Sequence, residues 1–397
     1  MKLNILKTFI LLGLTGFLLS FANAQAVPGF FADNTTNTIL EEIGMDLLTP
    51  PEVFQYIKNW YIGYPYKILF DYIDFICTYA NYIDAVQYML IPQVNNLTLR
   101  MFTKCQNYSF PILKSDEIYR SPHFDRSKPV VILIAGWTNT IDNSNMIYEI
   151  SKAYLCRGGV NVIGLDASNY TTTFYALSAL NARDIGKYLA QSIVKLEKIV
   201  PLENIHLIGH SLGANIAGYT GKFFQNMTGR LLPRITGLDP AKPCFHMGQK
   251  LMPIEKGDAE FVDVIHTNPG VLGIEKEIGD VDYYPDGLLP LKSGCLTISC
   301  SHNRAHEYYA ESVYPGHEND FLAVKCHSIF ELRIGLCNTT ERYIMGYAVQ
   351  KDIKGIFYSK VTAQFPYGSE SEKIPPYIKE CGTCDRPEDK KDTIKFE

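Results

Sequence analysis

The 397-residue chain has few of the features that identify membrane proteins, nucleic-acid-binding proteins or repeat proteins. Only one run, Phe9–Phe21, approaches the length of a membrane helix, and small residues follow it, so we expect no transmembrane anchor. Lysine and arginine number 37 against 42 acidic residues, and no basic run is dense, so we expect no nucleic-acid partner. Internal repeats and low-complexity tracts are also absent. The chain is therefore typical of a soluble globular protein with room for one large domain or two.

The N-terminus has the pattern of a secretory signal peptide. Two lysines and an apolar run precede the small-residue motif Ala22-Asn23-Ala24. We therefore expect residues 1–24 to be removed and the protein to be secreted to the extracellular space. Ten cysteines agree with disulfide bonds in that compartment. Six N-x-S/T sequons are candidate glycosylation sites, namely Asn34, Asn96, Asn107, Asn169, Asn226 and Asn338.

Three further regions follow the signal peptide. Residues 25–90 are rich in tyrosine, isoleucine and phenylalanine at spacings that allow amphipathic helices. We interpret them as a helical prefix packed on the main domain, and a surface for lipid or a partner is the alternative. Residues 91–364 alternate apolar strand-like segments with helical ones. Residues 365–397 form a C-terminal tail, in which Cys381-Gly-Thr-Cys384 favours disulfides over a metal or redox role because no second C-x-x-C is present.

The alternation in residues 91–364 predicts an α/β domain with a mostly parallel sheet covered on both faces. The predicted strands are Val94–Phe102, Pro129–Ala135, Val160–Asp166, Ile205–Ile208, Arg234–Leu238 and Glu260–His266, and the predicted helices include Ser144–Leu155 and Phe174–Lys198. Functional groups in such sheets lie at the carboxyl ends of the strands.

A possible nucleophile lies in the pentapeptide Gly209-His210-Ser211-Leu212-Gly213. An apolar strand precedes it and small residues at helical spacing follow it, which predicts a sharp turn between a strand and a helix. The glycines allow the chain to pass close to the serine, and the helix N-terminus favours developing negative charge. A purely structural Gly/Ser turn is the alternative, with His210 in a packing role.

A serine hydroxyl needs a histidine to accept its proton and an acid to orient that histidine. Asp239 directly follows a predicted strand at the carboxyl edge, and Pro240 ends that strand. Asp263 lies inside a strand and Asp258 precedes one at the wrong edge, so Asp239 is the favoured acid.

The base and the oxyanion hole are less well defined by the pattern. Of nine histidines, His302 is favoured on a late loop, while His266 and His306 stay open. Two backbone N–H groups should stabilise an oxyanion, and the candidates are those of Leu212 and Trp137. Core packing is the alternative role of Trp137.

Several segments together resemble the secreted pancreatic-lipase-like family, which includes wasp venom phospholipases A1 and fly yolk proteins. The matching segments are Ile134–Trp137, Asn161–Asp166, Leu207–Ala217, Arg234–Phe245, Phe261–Thr267, Asp282–Pro285, Cys300–Arg304 and Phe321–Cys326. They occur in the family's order and cover roughly residues 90–350. The resemblance implies an α/β-hydrolase fold with a single catalytic domain and a triad of Ser211, Asp239 and His302.

The resemblance also implies two disulfides, Cys295–Cys300 and Cys326–Cys337. The first encloses four residues where the family's lipases carry a long lid, and the loop Asn268–Val281 is also short, as in the venom phospholipases A1. The pairing of Cys77, Cys105, Cys156, Cys244, Cys381 and Cys384 stays open. A short lid leaves the serine open to water and favours substrates with polar head groups.

Other departures from the family bear on activity and on partners. Ala135 replaces the histidine that often precedes the Gly-Phe or Gly-Trp of the oxyanion loop, although the backbone donor remains. At the family's calcium site this chain has Lys250 and Pro253 beside Glu255 and Asp258, so we expect no metal. The C-terminal lipid-binding domain is absent, so we expect no colipase-type partner.

The sequence thus predicts a secreted serine hydrolase of lipid esters that uses no cofactor and acts at a membrane or lipoprotein surface. Phospholipase A1 activity is the first expectation and triacylglycerol hydrolysis the alternative. A non-catalytic storage or carrier protein, similar to yolk proteins, is the alternative of another class.

Overall fold

The computed structural model describes residues 72–77, 92–371 and 381–384, without the side chains of Tyr119, Asn338 and Thr339. These residues all belong to one unit, Phe70–Glu397, and a second unit, Met1–Leu69, lies outside them. The predicted signal peptide, Asn34 and most of the predicted prefix therefore lie outside the described residues. No helix within the described ranges combines the length and apolar character needed for a membrane span.

The described domain contains strands and helices in alternation. The strands are β1 (Thr98–Phe102), β2 (Asn107–Pro111), β3 (Val130–Ile134), β4 (Asn161–Asp166), β5 (Ile205–His210), β6 (Arg234–Leu238), β7 (Val262–Ile265), β8 (Val281–Pro285), β9 (Leu322–Cys326), β10 (Asn338–Ile344) and β11 (Gly355–Ser359). The helices are α1 (Asn145–Arg157), α2 (Ser168–Thr171), α3 (Tyr175–Leu196), α4 (Leu212–Thr228), α5 (Ile298–Val313) and α6 (Ile329–Arg333). Short 3₁₀ helices cover Val94–Asn96, Ile112–Arg120 and Leu202–Asn204.

The described strands form one sheet in the order β10-β9-β11-β8-β7-β6-β5-β3-β4-β1-β2. Neighbours from β11 to β4 pair in parallel, whereas the edge strands pair antiparallel. Strands β3 and β6 are buried along their whole length, because helices cover both faces of a parallel sheet. The predicted mostly parallel α/β-hydrolase sheet is confirmed.

Helices pack on the sheet in two pairs. Helices α1 and α5 lie together over apolar side chains of β3 and β5, and Tyr154 and Tyr309 share a buried hydrogen bond of 2.9 Å between their hydroxyls. Helices α3 and α4 pack on each other, and α4 also lies against β5 and β6. Ser144 accepts a hydrogen bond from Ile147 N and so caps α1 at the predicted start. The helices therefore cover both faces of the central strands.

Five disulfides join the described segments, which confirms the expectation of disulfide bonding. Cys295 pairs with Cys300 and Cys326 with Cys337, as the family resemblance implied. The three pairs that the sequence left open are Cys77–Cys244, Cys105–Cys384 and Cys156–Cys381. Both cysteines of the C-x-x-C motif therefore fasten the C-terminal tail to the domain.

A buried ion pair gives Asp263 a structural role. Its carboxylate accepts hydrogen bonds from Arg234 Nε at 2.8 Å and Nη2 at 2.9 Å, and from the Thr236 hydroxyl. Arg234 also donates to the carbonyl oxygens of Gly346 and Tyr347. The pair is almost fully buried and links β6 and β7 to the segment after β10. Asp263 therefore faces a cation inside the domain.

We expect Asp263→Asn to lower the free energy of unfolding by about 3 kcal/mol or more, because Arg234 loses its buried counter-charge. Urea unfolding at neutral pH measures this loss. Glu117→Gln is the control, since Glu117 and Lys114 form an exposed pair at 3.6 Å and the expected loss is below about 0.5 kcal/mol. Equal losses in the two variants would contradict a structural role for the buried pair.

Candidate active site

Ser211 occupies a tight turn between β5 and α4, as the pentapeptide predicted. Its φ of 57° and ψ of −123° lie in a region that residues other than glycine rarely adopt. A Cβ atom on Gly213 would lie 2.1 Å from the Ile134 carbonyl oxygen, and one on Gly209 would lie 2.3 Å from the Gly213 carbonyl oxygen. Both positions therefore require glycine, because any larger residue would push apart backbone segments of the sheet and of α4.

The turn is fixed to the neighbouring strand by backbone hydrogen bonds. Ser211 N donates to the Leu238 carbonyl at 2.9 Å, and the Ser211 carbonyl accepts from Ala241 N at 3.2 Å. Asp239 lies between these two partners and also has a positive φ, 43°. The same contacts that hold the serine therefore place Asp239 beside it.

Asp239 is fully buried and its carboxylate is held by two groups of donors. Its Oδ1 atom accepts hydrogen bonds from the backbone N–H groups of Thr267 at 2.8 Å and Asn268 at 2.9 Å. Its Oδ2 atom lies 2.5 Å from His302 Nδ1. The two backbone donors come from the loop after β7 and orient the carboxylate so that its second oxygen faces the histidine.

His302 lies in α5, and the expected position on a late loop is therefore wrong. The helix begins at Ile298, inside the loop closed by the Cys295–Cys300 disulfide, and Thr297 caps it by accepting a hydrogen bond from Cys300 N. A carboxylate only accepts hydrogen bonds, so Nδ1 of His302 carries the proton and Nε2 is left as an acceptor. Among the described contacts, no hydrogen bond joins the Ser211 hydroxyl to His302.

His210 packs against His302 and holds its backbone. The two rings are 4.7 Å apart between centroids, and His210 Nε2 donates to the His302 carbonyl at 3.0 Å. Burial lowers the pKa of His210 well below 6.5, and the nearby His302 and His306 lower it further. His210 is therefore a neutral donor that positions the segment carrying His302, a role that sequence reasoning described only as packing.

The other histidines and carboxylates that the sequence left open have other partners. Both ring nitrogens of His266 are used, by the Ile274 carbonyl and by Asp282, each at 2.8 Å. His306 Nδ1 bonds to Glu149 at 2.8 Å. Of the three candidate histidines, only His302 contacts Asp239.

Asp258 contacts a lysine instead of a histidine. Lys222 Nζ lies 2.5 Å from Asp258 and 3.0 Å from Glu255. Burial raises the pKa of Asp258 to about 6, although Lys222 opposes this shift. Within the described ranges, no group of three or more His, Cys, Asp or Glu side chains is arranged to hold a metal ion.

Two backbone N–H groups flank Ser211. Leu212 is the first residue of α4, and Trp137 follows β3 in a loop that passes so close that a Cβ atom on Gly136 would lie 3.4 Å from Ser211 Oγ. In the described part of the chain neither N–H has an acceptor, as expected for Leu212 at a helix N-terminus. The Trp137 indole donates to the Thr173 carbonyl at 2.7 Å and is more than a third exposed, so it does not pack in the core.

The Cys295–Cys300 loop runs directly into the first turn of α5. Thr297 caps the helix, Ile298 begins it, and the Leu296 side chain is 91% exposed. The loop therefore has no residues left for a separate covering segment.

Comparison with known proteins gives one family. A family model described as Lipase matches residues 85–367. The chain is 36% identical over 212 residues to Vitellogenin-3 of Drosophila melanogaster, covering 53% of this chain and 50% of that protein. It is 31% identical over 258 residues to Pancreatic lipase-related protein 2 of Cavia porcellus, and 32% identical over 277 residues to Lipoprotein lipase of Neovison vison. Each of these last two alignments covers 62% of this chain and 57% of the relative, so the chain spans 50% to 57% of the length of the three proteins.

We expect Gly213→Ala to lower the free energy of unfolding by about 3 kcal/mol or more, because the added methyl group meets two backbone carbonyls of β3 and its loop. Urea unfolding tests this expectation. Gly237→Ala is the matched control in the neighbouring strand, where the nearest atoms are side-chain atoms at 3.1 Å and beyond, and we expect a loss of about 1 kcal/mol. A Gly213→Ala protein as stable as the control would contradict the geometry of the turn.

We expect His210 to make the protein less stable in acid. Its pKa is lowered on folding, so below pH 6.5 the unfolded chain binds a proton that the folded protein does not. This group therefore makes the free energy of unfolding fall with decreasing pH, by up to about 1.4 kcal/mol per pH unit. Urea unfolding between pH 7 and about pH 5 should show a shallower dependence in His210→Gln. The exposed His123→Gln should keep the wild-type slope, and an unchanged slope in His210→Gln would overturn the assignment.

Proposed function

The chain belongs to the lipase family, and we propose that it is a secreted serine hydrolase of lipid carboxylic esters. The observation that carries the proposal is the contact of His302 Nδ1 with Asp239 at 2.5 Å, next to a serine in a strained turn. A structural Gly/Ser turn needs neither the buried carboxylate nor the oriented imidazole. The joint presence of the three residues therefore favours catalysis.

In the proposed mechanism, Ser211 Oγ attacks the ester carbonyl while His302 Nε2 accepts the hydroxyl proton. The N–H groups of Leu212 and Trp137 stabilise the oxyanion of the tetrahedral intermediate. Asp239 stabilises the imidazolium ion and holds its orientation. His302 then gives the proton to the leaving alcohol oxygen, and water releases the acyl group in a second cycle of the same steps. No step requires a cofactor.

Phospholipids are the preferred substrate class in this proposal, with phospholipase A1 activity ahead of triacylglycerol hydrolysis. The support is the short Cys295–Cys300 segment, whose residues cap and begin α5 and form no lid over Ser211. A site without a long apolar cover leaves polar head groups in contact with water, so they lose little hydration on binding. The substrate would be presented at a membrane or lipoprotein surface.

A storage or carrier protein is the second candidate function, and the 36% identity to Vitellogenin-3 favours it. The site argues against it. A protein that only stores or carries has no need of a serine with positive φ beside a buried carboxylate that orients a histidine. Catalysis therefore accounts for more of the observed geometry.

Two further expectations belong to this proposal. The contact of Lys222 with both Glu255 and Asp258 places a cation where the family resemblance implies calcium, so we propose that activity needs no metal. Asn96, Asn107, Asn169 and Asn226 are exposed and suit glycosylation of a secreted chain, while the side chains of Asn34 and Asn338 lie outside the described structure.

A lipid panel tests the function and the substrate class together. We expect the purified protein to release fatty acid from phosphatidylcholine vesicles faster than from a triacylglycerol emulsion, and a metal chelator to leave both rates unchanged. Exclusive cleavage of triacylglycerol would contradict the argument from the short loop.

Two matched variants test the proposed acid. Asp239→Asn should lower kcat about 10⁴-fold, because the amide stabilises the wrong tautomer of His302. Asp258→Asn should change kcat by less than about threefold, since Asp258 contacts Lys222 and not a histidine. Similar losses in both variants would rule out Asp239 as the group that orients the base.

A further inference from the structure

Residues 72–77 precede the segment matched by the family and are helical. They are attached to the loop after Asp239 in three ways. Cys77 forms a disulfide with Cys244, the Asp74 carboxylate accepts a hydrogen bond from Cys244 N at 2.6 Å, and His246 Nε2 lies 3.2 Å from the same carboxylate. The segment is therefore fixed to this loop at several points.

The loop that holds this segment lies next to the serine. Ala241 N donates to the Ser211 carbonyl, and two residues further on the Pro243 carbonyl accepts a hydrogen bond of 3.0 Å from Tyr175 OH. The Tyr175 ring meets the Trp137 indole edge-on at 5.3 Å. A continuous set of contacts thus runs from the oxyanion loop to Cys244 and on to residues 72–77.

Several exposed apolar side chains belong to the segments that make these contacts or lie directly beside them. Trp137, Phe174 and Met247 belong to the connections after β3, β4 and β6, and Phe75 belongs to the attached segment. We call these four side chains the apolar rim. The carboxyl ends of parallel strands share one edge of a sheet, so the rim lies along the edge at which Ser211 projects.

We propose that the apolar rim contacts the acyl chains of a lipid surface, and that residues 72–77 form its outer part. The proposal rests on the proposed function, because a surface beside Ser211 serves catalysis only if the substrate is a lipid. The short Cys295–Cys300 loop adds one exposed apolar side chain, Leu296, so most of the apolar contact must come from other segments. The disulfide keeps the segment in place before the lipid arrives, which lowers the entropic cost of binding.

A lipid surface fits the rim better than a protein partner does. A protein seated along this edge would cover Ser211 and exclude substrate, whereas a lipid surface presents substrate to it. Aromatic side chains with polar atoms, such as the Trp137 indole, are favoured at the boundary between acyl chains and water. The chemistry of the rim therefore suits acyl chains beneath phospholipid head groups.

The test compares charged substitutions in the rim with matched substitutions at the other end of the parallel strands, where the strands begin. Phe75→Asp is paired with Phe330→Asp, since these side chains are 62% and 59% exposed. Met247→Asp is paired with Met227→Asp, which are 54% and 41% exposed. Met227 lies in the last turn of α4, and Phe330 lies in α6, which follows the antiparallel strand β9. Both residues are therefore at the amino-terminal ends of the parallel strands.

Hydrolysis of phosphatidylcholine vesicles and of a water-soluble butyrate ester is measured for each full-length variant. We expect each rim variant to lower the ratio of vesicle to butyrate hydrolysis about tenfold, because a charge replaces a side chain that enters the lipid. The two control variants should keep the wild-type ratio. Equal ratios in rim and control variants would overturn the proposal.

A second measurement removes the disulfide of this attachment and leaves the apolar side chains intact. The double variant Cys77→Ser/Cys244→Ser should lower co-sedimentation with phosphatidylcholine vesicles, whereas wild-type sedimentation by the variant would contradict a role for the attached segment. Failure of the proposed function is distinguishable, since the wild-type protein would then hydrolyse neither the vesicles nor the butyrate ester.

Discussion

The backbone contact between the first turn of α4 and the end of β3 is the constraint on which the site depends. Gly213 passes so close to the Ile134 carbonyl that no Cβ atom fits between them. This approach forces Ser211 to a positive φ and brings it beside Gly136. Two hydrogen bonds hold the strained turn: Ser211 N donates to the Leu238 carbonyl at the end of β6, and Ala241 N donates to the Ser211 carbonyl. Asp239 lies between Leu238 and Ala241 in the chain. The position of the serine is thus tied to the position of Asp239, the proposed acid.

Pairing of histidine with a carboxylate is common in this domain and does not by itself identify the base. Five such pairs occur among the described residues, namely Asp239–His302, Asp282–His266, Glu149–His306, Asp320–His317 and Asp74–His246. Asp282 fixes the loop after β7, and His317 and Asp320 lie in the connection after α5. Only the first pair joins a strand end beside Ser211 to the start of α5. Position in the sheet, more than burial or charge, separates the proposed base from the structural histidines.

Much of the central sheet could be predicted from the sequence, since β3 to β6 are short segments that are mainly apolar and Ser144 marks the start of α1. The later elements are hidden by buried polar residues that pair specifically. Strand β8 contains Asp282, which binds His266, and α5 buries Glu311, which accepts hydrogen bonds from Tyr367 N and Gly368 N. The choice of Asp239 as the proposed acid rested on its place after a strand, whereas periodicity left three histidines open. The cysteine pairs that span 167 to 279 residues depend on the folded structure and leave no local pattern.

Active-site labelling with a fluorophosphonate tests most directly whether the contact of His302 with Asp239 activates Ser211. The probe reacts covalently with an activated serine and not with an ordinary hydroxyl, so peptide mapping of the labelled protein reports the nucleophile. Our account predicts one bound probe per molecule, located on Ser211, and no labelling of Ser211→Ala. A folded protein that stays unlabelled, or that is labelled at another serine, would contradict the account.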